Sequence, residues 1–246
     1  MKSFFVAAPG KVILFGEHAV VHEKVCLCVS RLTRQAAIAT SVSLCSYLLV
    51  QVTPLAEDGV PHVTINFPDI GLNHSWPISS LPCLPHVTPV APASLNEGLV
   101  KSLDTVLDAF AKSEFQHTAI FAFLYLYVSL SKPMNGNISF LLRSAIPIGS
   151  GLGSSASISV CLATALLILG EYISPPSDVH PGHETLNLIN GWAFLGERCI
   201  HGNPSGVDNT VATFGGGVLY RKERRQRQLS NGTFTPSKPA ERVIIK

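Results

Sequence analysis

A glycine-rich segment, IPIGSGLGSS at 146–155, is the feature that most constrains the fold of this chain. The apolar residues before it predict a strand over 137–149, which Pro147 ends. The almost uninterrupted apolar run after it, 155–173, predicts a helix that is buried nearly all round. Because glycine accepts positive φ and allows close approach to the backbone, the sequence places an open turn between a strand and a buried helix.

Such a turn can bind phosphate, because the first amides of a helix lack intrahelical partners and lie at the positive end of its dipole. Ser150, Ser154 and Ser155 add hydroxyl groups, and Ser155 is placed to face a magnesium ion. The alternative is a ligand-free turn with serine caps. The segment is not a Walker loop, since Ser154 rather than Lys follows Gly153, and its GxGxG spacing is not that of a dinucleotide-binding loop.

A second polar segment, APGKVILFGEHAVV, lies at 8–21. Its residue types predict a strand, a Pro-Gly turn and a second strand. Lys11 and His18 then lie at strand ends beside glycines, which suits a binding site. Taken alone, Lys11 is more often a solvated surface cation and His18 a satisfied structural histidine.

A third segment, GERCIHGNPSGVDNTV at 196–211, supplies two carboxylates. Glu197 lies near the end of a predicted helix, and with Ser155 it can hold Mg²⁺, which takes a few oxygen ligands plus phosphates. Asp208 follows turn-forming residues and can pair with Lys11, orient a hydroxyl or accept its proton. Taken separately, Glu197 fits a surface carboxylate and Asp208 fits a turn cap. Turns alone do not explain why all three polar segments occur together.

The order of elements predicts an α+β fold rather than a doubly wound parallel sheet, because strands come first and then mix with helices. Residues 62–67 alternate as a strand, and 94–131 are helical in two pieces. Residues 205–221 predict a turn and a strand. Five prolines within 73–96 predict a connection on the surface.

Composition excludes several classes of protein. With 46% hydrophobic and 14% charged residues the chain can build a large core. Its net charge is +2, and eight basic residues fall in 221–246, so a nucleic-acid surface is not indicated. The apolar runs 36–52 and 119–131 are too diluted or too short for a membrane span. The six cysteines form no CxxC pair and are expected to be free thiols of a reducing compartment.

The segments PGKVILFGEHAVVH, PIGSGLGSSAS and GERCIHGNPSGVDN resemble two signature regions and the catalytic segment of the GHMP kinases, a family of small-molecule kinases. Within that family they resemble the mevalonate kinases most. The resemblance covers about 1–30, 60–72 and 119–220. It implies that 1–220 form the GHMP kinase N-terminal domain, which has a ribosomal protein S5 domain 2-like fold.

The resemblance also implies an activity, the ATP-dependent phosphorylation of (R)-mevalonate to 5-phosphomevalonate in isoprenoid and sterol biosynthesis. Asp208 would be the catalytic base, and Lys11 would pair with it and stabilise charge on the transferring group. Ser155 and Glu197 would bind Mg²⁺. Such an enzyme is expected in the cytoplasm, with no nucleic-acid or membrane partner, and the family is compatible with a homodimer and with peroxisomal association.

The remaining implied site residues bind the nucleotide or the substrate. The nucleotide side consists of Lys11, Asp69, Ser144, Gly149, Ser150, Gly151, Leu152, Gly153, Ser154 and Ser155. His18 and Ser205 would contact mevalonate. Asp69 stands where these kinases usually have Asn, so its carboxylate is expected to be paired or to face away from the nucleotide.

The chain departs from the family in its second half. The third glycine-rich signature, of the type TGAGGGG, is absent, and we expect the C-terminal ferredoxin-like domain to be largely missing. Residues 221–246 resemble nothing in the family and are expected to be a disordered basic tail, while 31–50 resemble an insertion. Two alternatives follow: a catalytically impaired truncated isoform that binds nucleotide or associates with the full-length enzyme, or a kinase for another small molecule.

Overall fold

The computed structural model describes residues 2–16, 36–55, 59–83, 89–107, 113–175, 181–221 and 241–245. The strands of this part of the chain are β1 Lys2–Phe15, β2 Ala36–Thr53, β3 His62–Phe67, β4 Leu72–Pro77, β5 Asn137–Ser144, β6 Gly217–Arg221 and β7 Glu241–Ile245. Its α-helices are α1 Glu97–Leu107, α2 Glu114–Leu130, α3 Ser154–Leu169, α4 His183–His201 and α5 Val207–Phe214.

The strands form one mixed sheet in which the long strand β2 is central. One edge of β2 pairs with β1 along its length, and the other pairs with β5 near the C-terminal end and with β6 near the N-terminal end. Beyond β5 the order continues to β3 and β4, and beyond β6 to β7. Only the β3–β5 pairing is parallel among these described pairs. The sheet and helices confirm the predicted α+β class.

The core lies between the helices and one face of the sheet. Alternate residues of the strands face it, as the period of two predicts: Val63, Ile65 and Phe67 of β3 are all buried. Helix α3 is apolar nearly all round and is covered by the sheet and by other helices. The predicted strand over 62–67 and the predicted buried helix are both confirmed.

Buried polar contacts fix α3 against the sheet directly after the glycine-rich loop. Ser157 is fully buried, and its hydroxyl donates to the Ala8 carbonyl of β1 at 2.6 Å. The same oxygen accepts from the Ser46 amide of β2 at 3.3 Å. Because a buried polar group needs partners, these contacts define where the first turn of α3 lies relative to both strands.

The predicted Pro-Gly turn at the N-terminus is wrong, because β1 runs through it as one strand. The register with β2 shifts between Pro9 and Lys11. Proline has no amide to donate, and the Lys11 amide donates outside the sheet, to the Leu152 carbonyl at 2.8 Å. A bulge replaces the turn.

Two other expectations differ from the structure. Residues 207–214, predicted as turn and strand, form helix α5, and the strand begins only at Gly217. Residues 73–77 of the predicted surface connection belong to strand β4, and Trp76 there is buried. In helix α5, five of the eight residues face the core, so packing stabilises the helical conformation of 207–214.

The structure describes parts of the two segments that depart from the family, the predicted insertion 31–50 and the predicted tail 221–246. Residues 36–50 of the predicted insertion lie within strand β2, and their status relative to the family stays a prediction. Glu241–Ile245 form strand β7, which differs from the expected disorder of the tail. Three β-branched residues, VII at 243–245, fit that strand. No helix in the described ranges is long and apolar enough to cross a membrane.

Candidate functional site

The glycine-rich loop uses left-handed backbone at alternate positions. Gly149, Gly151 and Gly153 have φ values of 77°, 73° and 72°, which side-chain-bearing residues rarely adopt. Gly153 is the N-cap of α3 and no side-chain cap bond is made there. The serine-capped turn is therefore not what begins this helix, and its first amides stay available to an anion.

Close backbone contacts hold the end of the loop against β1. A Cβ on Gly10 would lie 2.7 Å from the Leu152 carbonyl oxygen, the same oxygen that accepts from the Lys11 amide. A Cβ on Gly153 would lie 2.8 Å from Lys11 Cγ. These two glycines therefore allow the loop and the lysine to lie side by side.

We expect Gly153→Ala to destabilise the chain more than Gly149→Ala does. Both substitutions place a Cβ at positive φ, which costs about 1–2 kcal/mol. Only at Gly153 would the Cβ also meet the Lys11 side chain, because nothing lies within 4 Å of a Cβ at Gly149. Thermal unfolding of the two variants checks this, and equal melting temperatures would contradict the close approach.

Lys11 and Asp208 form an ion pair at the end of this loop. The Lys11 ammonium lies 3.2 Å from Asp208 Oδ2, and the exposed fractions of the two side chains are 8% and 31%. The bulge in β1 directs the lysine here, and Asp208 lies in the first turn of α5, where the helix dipole favours an anion. The structure thus shows the pairing of Lys11 with Asp208, which the sequence left open. Asp208 remains partly accessible to solvent.

Glu197 is a buried carboxylate beside this pair. It is 3% exposed, and its Oε1 has no hydrogen-bond partner in the described part of the chain. Burial raises the pKa of Glu197 to about 7, against a hydrogen bond from Ser155 that lowers it. The negative charge of Asp208 raises this pKa further, and the positive charge of Lys11 lowers it. The predicted surface alternative for Glu197 does not apply.

The donor set at Glu197 fits a divalent cation. An unpartnered buried carboxylate oxygen is unfavourable unless a ligand completes its coordination. The described residues contain no cluster of three His, Cys, Asp or Glu side chains that could hold a metal. Mg²⁺ in phosphate-handling sites needs only one or two carboxylates, since substrate phosphates and waters supply the other oxygens.

A cavity of about 710 Å³ connects the Lys11–Asp208 pair and the glycine-rich loop to an apolar wall, and Glu197 is not among the residues that line it. Lys11 and Asp208 lie along it, together with the whole loop from Pro147 to Ser155. The apolar wall comes from β3, the turn after it, α2, β5 and α3, and it includes Ile65, Phe67, Ile70, Phe115, Ala119, Leu142, Ile158 and Leu162. One end of the cavity therefore suits phosphates and the other a flat apolar group.

Two predicted nucleotide residues have partners within the protein. Asp69 forms a salt bridge to Arg143 at 3.0 Å and accepts from the Ser144 amide at 2.7 Å. The Ser144 hydroxyl contacts the Ser46 hydroxyl at 3.0 Å and lies 3.4 Å from that of Ser154. Neither Asp69 nor Ser144 lines the cavity. The expectation that Asp69 is paired agrees with this salt bridge.

The two predicted substrate residues are not brought to the cavity by the described structure. The Ser205 hydroxyl accepts from the Val207 amide at 3.3 Å, which places Ser205 at the start of α5. Its side chain is exposed and is not part of the cavity wall. His18 lies outside the described residues.

His201 is a cavity residue that sequence reasoning missed. Its Nε2 lies 3.1 Å from the Ser155 hydroxyl oxygen. It follows Glu197 by four positions on α4, so the two side chains share a helix face. This four-residue spacing was the sequence signal that could have identified His201 as a site residue.

Comparisons with known proteins agree with this fold and loop. Residues 117–217 match the family model for the GHMP kinases N terminal domain. The mevalonate kinase of Candida albicans is 40% identical over 258 residues, spanning 98% of this chain and 56% of that relative. The mevalonate kinase of Homo sapiens is 40% identical over 237 residues, spanning 88% of this chain and 53% of the relative.

Solved structures share the fold. The mevalonate kinase of Methanococcus jannaschii superposes with a TM-score of 0.57 at 23% identity, covering 89% of this chain and 54% of its own. The L. major mevalonate kinase in complex with R-mevalonate gives 0.52 at 26% identity, covering 91% and 49%. The chain spans about half the length of the curated relatives it matches. Residues 117–217 therefore match the GHMP kinases N terminal domain, and the chain is similar in sequence and fold to the corresponding half of mevalonate kinases.

Proposed function

We propose that the chain carries the phosphoryl-transfer half of a mevalonate kinase, which moves the γ-phosphoryl group of ATP to the primary hydroxyl of mevalonate. One observation supports this most: the Lys11–Asp208 pair and the α3 N-terminus line the same cavity, with the buried Glu197 beside the pair. The choice of mevalonate follows from the names of the sequence relatives.

Each polar group has a role in this proposal that its surroundings support. Asp208 is partly exposed and accepts the proton of the attacking hydroxyl. Lys11 is buried and pairs with Asp208, where its ammonium would stabilise the negative charge that develops on the transferring phosphoryl group. The free amides at the start of α3 bind the phosphates of ATP. The hydroxyl oxygen then gains the phosphoryl group, and ADP leaves.

Glu197 and Ser155 are the residues that would hold Mg²⁺ in this proposal. The bound cation would neutralise charge on the ATP phosphates. Glu197 must be ionised to take part, so its raised pKa makes the site depend on pH near neutrality. The apolar wall of the cavity suits the adenine ring, which leaves the polar end for the phosphates.

A second candidate function follows from the length of the chain. The chain spans about half the length of the relatives that it matches. The alternative is a chain that binds nucleotide but transfers the phosphoryl group poorly, or that associates with the full-length enzyme. A kinase for another small alcohol is a further alternative, and cytoplasmic location and a homodimer stay predictions.

Release of ADP with (R)-mevalonate, measured by a coupled assay, distinguishes these functions. We expect turnover by this chain to be about 10²-fold slower than by a fusion carrying the C-terminal half of a curated relative, since incomplete positioning has costs of that order. Galactose and homoserine serve as acceptor controls. Equal kcat/KM for the two proteins would contradict the impaired form, and faster turnover of another acceptor would replace mevalonate.

A further inference from the structure

The Ser155 hydroxyl lies between two acceptors on one face of α4. His201 Nε2 is 3.1 Å from it. The same hydroxyl also lowers the pKa of Glu197, which lies one helical turn earlier, against the larger effect of burial. Both residues belong to α4, while Ser155 belongs to the first turn of α3. The hydroxyl is therefore shared across the contact between these two helices.

A hydroxyl has one proton and two lone pairs, so it cannot donate to both acceptors at once. If the Ser155 hydroxyl donates to Glu197, its proton occupies one lone pair of the carboxylate. The proton then lies between the Ser155 oxygen and the Glu197 oxygen, the two atoms that would ligate a cation. If it points to His201, the Ser155 oxygen and the Glu197 carboxylate both turn lone pairs to the same space. Oε1 of Glu197 is buried and has no hydrogen-bond partner among the described residues, so it lacks the ligand that a buried carboxylate oxygen needs.

We propose that His201 is a positioning residue that accepts the Ser155 hydroxyl proton and so turns the oxygens of Ser155 and Glu197 toward a nucleotide-bound divalent cation. The inference rests on the proposed nucleotide-binding function. It requires the neutral imidazole with its proton on Nδ1, because Nε2 must be the acceptor. His201 itself is an exposed residue.

A cation-binding measurement tests this without relying on turnover. The probe is Mn²⁺, whose binding to the chain in the presence of ADP is followed by electron paramagnetic resonance. ADP affinity without metal is measured in parallel. The variants are His201→Ala, His201→Gln, Ser155→Ala and the double variant Ser155→Ala/His201→Ala. His183→Ala is the matched control, since His183 is an exposed histidine at the other end of the same helix.

We expect His201→Ala to weaken Mn²⁺ binding by about tenfold, the usual scale for residues that orient a metal ligand. Metal-free ADP affinity should not change. His201→Gln should recover most of the loss, because its amide oxygen can accept the same proton. The double variant should be no weaker than Ser155→Ala alone, since a residue that acts only through Ser155 adds nothing once that hydroxyl is gone.

Additive losses in the double variant, or unchanged Mn²⁺ binding by His201→Ala, would overturn the positioning role. A loss of metal-free ADP affinity in His201→Ala would overturn it too, since that indicates general damage to the pocket. Failure of the unsubstituted chain to bind ADP would instead overturn the proposed function, and this inference with it. The two failures are distinguished by that single reference measurement.

Discussion

Replacing Asp208 by Asn is expected to slow phosphoryl transfer by about 10³-fold while ATP remains bound, because general-base catalysis contributes on the order of 10²–10⁴-fold. The amide keeps the size of the carboxylate and can still accept from Lys11, so the substitution removes basicity and charge rather than shape. Lys11 keeps its position against Gly153, and the free amides of α3 still bind phosphate. The loss should therefore appear in kcat.

Turnover and ATP affinity of Asp208→Asn are to be measured together, in the fusion with a complete C-terminal half if the chain alone is too slow. Asp104→Asn is the control, since Asp104 is an exposed carboxylate on α1, away from the cavity. Turnover within tenfold of the unsubstituted protein would remove Asp208 from the role of base. Loss of ATP binding would indicate that Asp208 holds the pocket together instead.

Replacing Glu197 by Gln is expected to stabilise the ligand-free chain at pH 8 and to abolish the Mg²⁺-dependent part of its nucleotide affinity. Burial in the folded chain raises the pKa of Glu197 to about 7 from its ordinary value of 4.5. Between these two values the folded state holds a proton that the unfolded state has released. Stability is therefore lost as pH rises from about 4.5 to about 7, by up to about 3 kcal/mol.

A neutral glutamine does not titrate, so the stability difference between the two proteins should be small at pH 5 and largest at pH 8. Denaturant unfolding at both pH values measures it. Glu184→Gln, an exposed change on the same helix, is expected to leave the pH dependence unaltered. A stability gain of the same size at both pH values would contradict ionisation as its cause. Unchanged Mg²⁺ dependence would remove Glu197 from the cation site.

Much of the site could be predicted because its residues lie where local sequence defines the backbone. The glycine spacing between an apolar strand and an apolar helix predicted a loop at the α3 N-terminus, and the structure has it. The sequence left three roles open for Asp208, and pairing with Lys11 was one of them. It required the bulge in β1 and helix α5, and neither could be predicted from local sequence.

What escaped prediction depends on contacts between distant segments. The Pro9-Gly10 pair has the residue types of a turn, yet β1 continues through it because the Leu152 carbonyl takes the Lys11 amide. The apolar cavity wall combines residues of several elements that look like ordinary core in the sequence. Asp69 and Ser144 have Arg143 and Ser46 as partners, which only the sheet register brings near, and their place in a nucleotide site stays a prediction.

The loop is fixed at both ends, by buried Ile146 and by the bonded Leu152 carbonyl, while residues 147–151 between them are exposed. Rearranging so short a segment is a sub-microsecond event, since even a ten-residue loop closes in about 10–100 ns. A typical enzyme turns over in about a millisecond to a second. If this loop binds phosphate as proposed, its own motion is therefore too fast to limit the rate of the proposed reaction.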